Sequence, residues 1–410
     1  MKSAYTFALG LALALAGVGA ACCSPASAQP AGGTLSKQER ETLLTLQTAL
    51  QNRDYGAANA ALPAARSAAN SSYGRYLVSS LQLRLGLETA NVPLQTAAID
   101  AMIASGAAPA AEMAGLYQNQ GALAASTGRY EAAEAAYTRW AEAAPANAEP
   151  LVALAEVKSL RGKGGESAAL LNRAIAARNA TGQPVPESWY LRGLKLAFDN
   201  KLSGPAAELG RGLVSAYPGP ENWRDALLAY RDLQPQDPAL RLDVLRLMRA
   251  AGALAGERDY LALATALSDA GLASEAKSVL DAGVSARMVD AAKAPAKDLI
   301  LSLGKRAAAD RRAAAGLEAK AKADATGAGS LAAADAYLAQ ANHAKAAELY
   351  PAALAKGVAD TALVQNRLGM ALALAGRRPE AEAALRSVTG PRAGLANYWL
   401  LWLARRSPSA

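Results

Sequence analysis

The feature that most constrains this chain is a set of residues that recurs 34 positions later in matching roles. A turn glycine, a small residue and larger side chains return in the same order in two neighbouring segments. The first set is Gly128, Ala133, Tyr137 and Trp140, and the second is Gly162, Ser167, Leu171 and Ala174. A period of about 34 residues accommodates one helix–turn–helix unit. A chain of such units buries its core between neighbours as a stacked array.

The composition favours helices along the whole chain. Apolar residues make up 52% of the 410 residues, whereas aromatic residues make up only 5%. Alanine supplies much of the difference, and it is the strongest helix former. Segments rich in β-branched and aromatic residues, which are typical of strands, are almost absent. We therefore predict an all-α fold, in a chain that is too long for one ordinary core but suits a long solenoid.

The clearest unit, over about 114–147, has an order of residues with a physical explanation. The order is Gly121, Gly128, Ala133, Tyr137, Trp140 and Pro145. Small residues let the two helices cross closely, the turn glycine permits a tight connection, and the proline ends the second helix. This order resembles the tetratricopeptide repeat family. The resemblance implies an α-solenoid of stacked antiparallel helix pairs in a right-handed superhelix, with about eight pairs.

Further units follow from a twelve-residue spacing between small residues. The pairs are Ala264 with Ala276, Ala334 with Ala346, and Gly369 with Ala381. The middle is less regular: 186–218 reads as a distorted unit, and 221–254 as two amphipathic helices without the small-residue marks. The last stretch, 395–405, contains Tyr398, Trp399 and Trp402. These aromatic residues suit a terminal helix that covers the open end of a solenoid.

These patterns divide the chain into five segments. We predict a signal peptide over 1–28, a linker over 29–35, an N-terminal and central array over 36–290, an Ala/Lys-rich helix and loop connector over 291–330, and C-terminal units with a capping helix over 331–406. The connector either continues the solenoid or forms a hinge between two subdomains.

The first 28 residues have the pattern of an export signal. Lys2 precedes an uncharged apolar run over 7–21, and a small-residue box ends at Ala28. We predict cleavage after Ala28 and a periplasmic location in a bacterium. The alternative is an anchored chain, uncleaved or lipidated on Cys22 or Cys23. Both cysteines lie in this segment, so the cleaved chain has no disulfide, thiolate metal site or cysteine nucleophile.

The sequence contains few residues of the kinds that catalysis requires. The single histidine, His343, takes the place of a turn residue, which favours packing over chemistry. One histidine without cysteine excludes the usual zinc sites, and the glycines around Lys163 lack the phosphate-loop pattern. We predict no enzymatic activity, no metal and no cofactor. The alternative of a different class is a glycan-cleaving enzyme on a helical array, which requires two facing carboxylates about 5–10 Å apart.

The charge pattern argues against nucleic acid as a partner. The formal net charge of +8 is mild for this length, and the charges are interspersed. We predict no nucleic-acid binding, and membrane contact only through the N-terminus.

The resemblance also implies where a partner binds. In the family, the first helices of the pairs line a concave groove that holds a protein or peptide. The corresponding residues here are Gln118, Ser126, Val152, Glu156, Asn366 and Met370. The family's basic clamp for a C-terminal carboxylate is not present. We predict an exported, non-catalytic scaffold for protein–protein interaction. The alternative is a membrane-tethered, lipoprotein-like component of an envelope or secretion assembly.

Overall fold

The structure is a computed structural model that describes residues 33–235 and 237–406. The predicted signal peptide with its cleavage site at Ala28, and residues 29–32 of the predicted linker, lie outside the described residues. The described part contains twenty α-helices, one short 3-10 helix at Gly390–Arg392 and no β-strand. The predicted all-α fold is confirmed. The chain divides into two compact units at 113/114, and each is described by itself.

The first unit contains two helix pairs. Its helices are α1 (Lys37–Gln51), α2 (Tyr55–Ala68), α3 (Ser72–Glu88) and α4 (Val92–Ala104). The helix α1 packs along α2, and α3 along α4. Leu46, Leu50 and Leu85 are fully buried in the shared core.

A carboxylate joins the two pairs of the first unit. Glu39 accepts a hydrogen bond of 2.7 Å from the backbone N–H of Ser36, which starts α1. It also accepts bonds of 2.6 Å from the Ser71 hydroxyl and 2.9 Å from the Ser71 N–H, just before α3. The bonds from Ser71, followed by those from Ser36, lower the pKa of Glu39 to about 2. A charged carboxylate therefore fixes the starts of both helices.

The second unit contains the remaining helices. They are α5 (Ala110–Ser126), α6 (Tyr130–Ala143), α7 (Glu149–Leu160), α8 (Gly164–Ala180), α9 (Glu187–Asp199), α10 (Ser203–Ala216), α11 (Pro220–Leu233), α12 (Pro238–Ala250), α13 (Gly256–Asp269), α14 (Ala273–Ser285), α15 (Ala296–Ala323), α16 (Gly327–Ala339), α17 (His343–Lys356), α18 (Thr361–Leu374), α19 (Arg378–Arg386) and α20 (Ala393–Arg405). Consecutive helices pack as a stacked array, so this unit is an α-solenoid of helix pairs.

Glycines set how closely the two helices of a pair approach. Gly121, Gly193 and Gly369 each lie in the first helix of a pair, where an added Cβ would collide with the residue sixteen positions later. Those residues are Tyr137, Leu209 and Leu385. The turn glycines Gly128 and Gly162 both have a φ of +73°, a conformation that other residues rarely adopt. The small-residue pattern in the sequence is therefore a packing pattern.

The predicted connector 291–330 is part of the array. Its main element, α15, is a single helix of 28 residues that packs against α14 and α16. Leu303, Ala307, Ala314 and Ala321 form its buried seam. The loop after α15 is shorter than the composition predicted, because α16 already begins at Gly327. The division between compact units falls at 113/114 and not in this segment.

Helix α12 is buried on every side. Residues 242–248 are all buried, and seven consecutive residues cover nearly two helical turns. The helix lies against α11, α13 and α18, and Arg246 bonds to Glu275 of α14. A helix that is buried all round belongs to the interior of a fold. The sequence predicted an amphipathic helix here, so its central position is a new finding.

Helix α20 closes the second unit onto an earlier part of the chain. Tyr398 packs against Trp223 and Tyr230 of α11, with ring centroids 6.2 Å and 5.7 Å apart. The indole N–H of Trp402 donates a bond of 3.0 Å to the carbonyl of Ala250, at the end of α12. The helix also packs against α18 and α19. The predicted cap therefore covers the last pair and also binds helices that lie more than 150 positions earlier in the sequence.

Two glycines in α5 provide a test of this packing. We expect Gly121→Ala to lower the free energy of unfolding by about 1–3 kcal/mol, because the new methyl group displaces the Tyr137 ring. Gly115→Ala is the matched control, since nothing lies near its Cβ position, and alanine there should stabilise the helix by about 0.5–1 kcal/mol. Urea unfolding followed by circular dichroism measures both changes. Equal effects of the two substitutions would contradict the packing role of Gly121.

Candidate functional site

Two of the predicted groove residues lie at the surface of α5. Gln118 and Ser126 are both exposed. The Ser126 hydroxyl donates a bond of 2.9 Å to the carbonyl of Leu123 in its own helix. Because that bond lies within α5, the exposed side chain of Ser126 remains accessible to a partner.

The next two predicted residues lie on α7 and are partly occupied by the chain itself. Val152 packs against the core cluster that contains Trp189 and Tyr190. Glu156 forms an ion pair of 2.6 Å with Arg192 of α9, and both side chains are about half-exposed. The ion pair therefore bridges the first helices of two consecutive pairs on an accessible surface.

The two helices joined by this ion pair also expose large apolar side chains. Leu160 on α7 is 61% exposed, and Phe198 on α9 is 41% exposed. Leu160 follows Ala155 by five positions, and Phe198 follows Gly193 by five positions. The two residues therefore occupy equivalent places in successive pairs, as Ser126 does in the pair before them.

We call Glu156, Leu160, Arg192 and Phe198 the α7–α9 face. The sequence analysis did not identify Leu160 or Phe198. The 34-residue period was the available signal, since Ser126 plus one period is Leu160. The 34-residue period does not find Phe198, because Gly193 lies four residues beyond the position one period after Ala155. Only the contact of Gly193 with Leu209 shows that Gly193 is the residue at the helix crossing.

The two remaining predicted residues are not at the surface. Asn366 and Met370 on α18 are fully buried. The structure therefore corrects the prediction of an open groove at Asn366 and Met370. Helices α12 and α20 pack against α18 and cover the side that a partner would use. Neither amide atom of Asn366 has a hydrogen-bond partner within the described residues.

A network of charged side chains holds α12 in this interior position. Asp243, which is fully buried, accepts a bond of 3.0 Å from Arg246 and bonds of 3.2 Å and 3.3 Å from Arg367. Arg246 also binds both oxygens of Glu275, at 3.0 Å and 2.6 Å. Arg367 extends the network to Asp335 with a bond of 2.6 Å. Four helices are thereby joined around one buried carboxylate.

The ionisation of these groups follows from their partners. Burial alone would lower the pKa of Arg246, but the neighbouring Glu275 and Asp243 raise it above its usual value. Burial raises the pKa of Tyr350 well above 10, and its neighbour Asp335, which accepts a bond of 2.7 Å from the hydroxyl, adds to that rise. Arg246 is therefore charged, and Tyr350 is neutral, at any physiological pH.

A cavity of about 950 Å³ lies beside this network. Residues of α11, α12 and α13 form its walls, and Arg367 of α18 reaches it. Arginine and aspartate side chains alternate with Leu228, Leu242 and Leu245 along the lining.

The histidine lies at a second, smaller cavity of about 280 Å³, which Arg249, Glu275 and Met370 also line. Burial lowers the pKa of His343; Glu275 opposes this shift and Arg249 adds to it. The imidazole is therefore neutral at pH 7. No group of three or more metal-ligating side chains occurs in the described ranges 33–235 and 237–406.

Carboxylates at the turns between helices have structural partners. Asp54 accepts a bond of 2.9 Å from the N–H of Ala57 at the start of α2. Glu131 pairs with Arg161 at 2.7 Å, and Glu166 with Lys158 at 2.7 Å. These contacts stabilise helix starts and join neighbouring helices. None of the helices in the described part is long and apolar enough to span a membrane.

Comparisons with known proteins find similarity only among solved structures. No protein-family model and no curated protein sequence matches the chain. A tetratricopeptide repeat protein from Parabacteroides merdae is 12% identical, with a TM-score of 0.32 over 82% of this chain and 100% of its own. The complex of the TPR2AB domain of yeast Sti1 with pHSP90 is 11% identical, with a TM-score of 0.25 over 72% and 100%. The TPR domain of P58(IPK) is 11% identical, with a TM-score of 0.26 over 90% and 99%.

Because these similarities are distant, the fold assignment rests on the chain's own features. Helix pairs stack along the described residues, glycines set the crossing of the two helices, and turn glycines recur after 34 residues. On these grounds the fold is an α-solenoid of helix pairs that resembles the tetratricopeptide repeat fold.

The buried network can be tested at its centre. We expect Asp243→Asn to lower the free energy of unfolding by about 1.5–3 kcal/mol, because the amide has one acceptor oxygen in place of two and turns an N–H donor toward the guanidinium groups of Arg246 and Arg367, so that buried charge-assisted hydrogen bonds are lost. Asp281→Asn is the control, since Asp281 pairs with Lys277 at the surface and its loss should cost no more than about 0.5 kcal/mol. Chemical unfolding measures both. Similar losses would mean that the interior network does not stabilise α12.

Proposed function

We propose that the protein is a scaffold that holds a protein partner against the α7–α9 face. The observation that carries this proposal is the exposure of Leu160 and Phe198, at 61% and 41%, in equivalent places on neighbouring first helices. Large apolar side chains at the surface are candidates for contact with a partner. The half-exposed pair of Glu156 and Arg192, which joins the same two helices, adds a polar contact that can orient a partner.

The interior of the second unit supports this choice of surface. Helix α12 and the network around Asp243 fill the side of α18 where the family resemblance placed a groove. A partner helix or peptide would have to displace buried ion pairs to enter there. The α7–α9 face needs no such displacement, because its apolar side chains are already exposed.

A non-catalytic role fits the state of the carboxylates in the large cavity. A general acid needs a carboxyl group with a raised pKa. Burial would raise the pKa of Asp259, but bonds from Arg224 and from the N–H of Ala255 lower it instead. Asp232 is bonded to Arg231 at 2.7 Å and 3.1 Å. With its pKa lowered, Asp259 is a charge partner for Arg224 and not a proton donor.

Export to a bacterial periplasm is the proposed location. The support is the sequence of residues 1–28, with its positive start, apolar run and small-residue box. The absence of cysteine after Cys23 is compatible with an oxidising compartment, because no free thiol is left to react.

The N-terminus of the natural protein tests this location. We expect mass spectrometry of the protein from its own cells to find a first residue of Gln29 in the soluble periplasmic fraction. A lipid on Cys22 or Cys23, or an intact Met1 in the membrane fraction, would contradict the proposal and favour a tethered component of an envelope assembly.

Partner binding is tested by crosslinking on the surface itself. A photo-crosslinking residue at the exposed position Gln118 should capture a discrete protein in intact cells. The double change Leu160→Glu and Phe198→Glu should reduce that capture at least tenfold, since each apolar side chain contributes about 1.5–3 kcal/mol when fully buried.

The matched control is Leu301→Glu, a change at an apolar residue of α15 that is 68% exposed. It should leave the capture unchanged. Circular dichroism confirms that all variants stay folded. Capture that is unaffected by the double change, or equally reduced by the control, would overturn the assignment of the α7–α9 face.

A further inference from the structure

The cavity of about 950 Å³ among α11, α12 and α13 has a lining that suits a particular kind of ligand. Its size lies within the range of about 300–1,000 Å³ that is usual for ligand sites. Leu228, Leu242 and Leu245 form an apolar wall, and Ala262 and Ala266 form the side provided by α13. Small alanines on α13 leave the space open.

Guanidinium groups dominate the polar part of the lining. The charged residues are Arg224, Arg231, Arg241, Arg258, Arg367, Asp232, Asp259 and Asp269. The lining thus holds five arginines and three aspartates, and the charge of Arg367 is also met by Asp243 and Asp335 outside the lining. Arginine binds carboxylates through two parallel hydrogen bonds, and it keeps its charge at any physiological pH.

Some of these guanidinium groups are already engaged. Arg224 binds both oxygens of Asp259, at 2.8 Å and 3.2 Å. Arg231 binds both oxygens of Asp232, and Arg241 shares that carboxylate at 3.8 Å. These pairs hold the arginine side chains in place around the cavity.

Two donors remain for a ligand. Arg258 is exposed and is bonded to no other side chain in the part of the chain that the structure describes. Arg367 uses Nε and Nη1 for Asp243 and Asp335, and its Nη2 makes no further bond to the described residues. Because Arg367 is nearly fully buried, its guanidinium is fixed and already desolvated, which strengthens any bond to an incoming anion.

We propose that this cavity binds an acidic peptide segment of the partner protein, with its carboxylates on the arginines and its aliphatic side chains on the leucine wall. The proposal rests on the scaffold function and adds a second contact to it. A small dicarboxylic acid would use the arginines alone and leave the wall of Leu228, Leu242 and Leu245 unfilled. A peptide that alternates acidic and aliphatic residues satisfies both parts of the lining.

The test uses the full chain and defined probes. A fluorescein-labelled peptide of alternating Leu and Glu should bind, as measured by fluorescence anisotropy, and its affinity should fall as the salt concentration rises. The matched peptide of alternating Leu and Gln should bind at least tenfold more weakly. Equal binding of the two peptides would overturn the proposal.

Two variants locate the binding in the cavity. Arg258→Gln should weaken the Leu/Glu peptide roughly tenfold, in line with one charge-assisted hydrogen-bonded contact. Ala262→Trp, at an exposed residue of the lining, should block binding by filling the space without changing the charge. Arg386→Gln on α19 is the control, since that side chain is 70% exposed and lies outside the cavity lining.

The outcomes separate this proposal from the scaffold function. If Arg258→Gln has no more effect than Arg386→Gln, the cavity is not the site. If free succinate displaces the peptide at equal concentration, the cavity takes a small acid and the peptide proposal is overturned. In either case, capture of a partner through Gln118 that depends on Leu160 and Phe198 would still stand.

Discussion

The second unit depends on the pairing of one buried carboxylate with two arginines. Asp243 has no solvent exposure, and a lone charge in such a place would be strongly unfavourable. Arg246, from its own helix, and Arg367, from α18, supply the compensating charges. Each arginine also binds a second carboxylate, Glu275 or Asp335, so three carboxylates surround two guanidinium groups. These bonds tie α12 to α14 and α18, and through Arg367 to α16, because a shift of α12 would break the pairing of the buried Asp243 and Arg246.

Burying α12 changes what the solenoid can do. An open array of helix pairs exposes the first helices along a groove, and a partner can lie in it. Here the chain's own helix lies against α18, and α20 closes the arrangement by packing on α11 through Tyr398. Outside this closure, Leu160 and Phe198 are exposed on α7 and α9, and the large cavity lies among α11, α12 and α13. These are the two places that we propose for partner contacts.

Local and repeating features of this structure could be predicted from the sequence, whereas its long-range contacts could not. Gly121, Gly128 and Tyr137 have a fixed spacing within one unit, and their roles in helix crossing and turning follow from that spacing. The contact between Asp243 and Arg367 joins residues 124 positions apart, and no local pattern specifies it. Asn366 and Met370 were assigned to an open groove for the same reason: their place in the repeat was correct, but the helix that covers them lies far away in the sequence.

The same distinction explains why the α7–α9 face was only half predicted. Glu156 was found because it has a standard place in the repeat, and its partner Arg192 lies one repeat further along the chain. Leu160 and Phe198 would ordinarily be counted as core residues, because apolar side chains in helices of an array are usually buried. In α7 and α9 these two side chains are instead 61% and 41% exposed. An apolar side chain at that place in α18, Leu374, lies instead beside the cavity that Arg246 and Glu275 line and is partly buried. One repeat position thus serves packing in the closed part of the unit and remains accessible in the open part, and that difference comes from the tertiary contacts and not from the repeat itself.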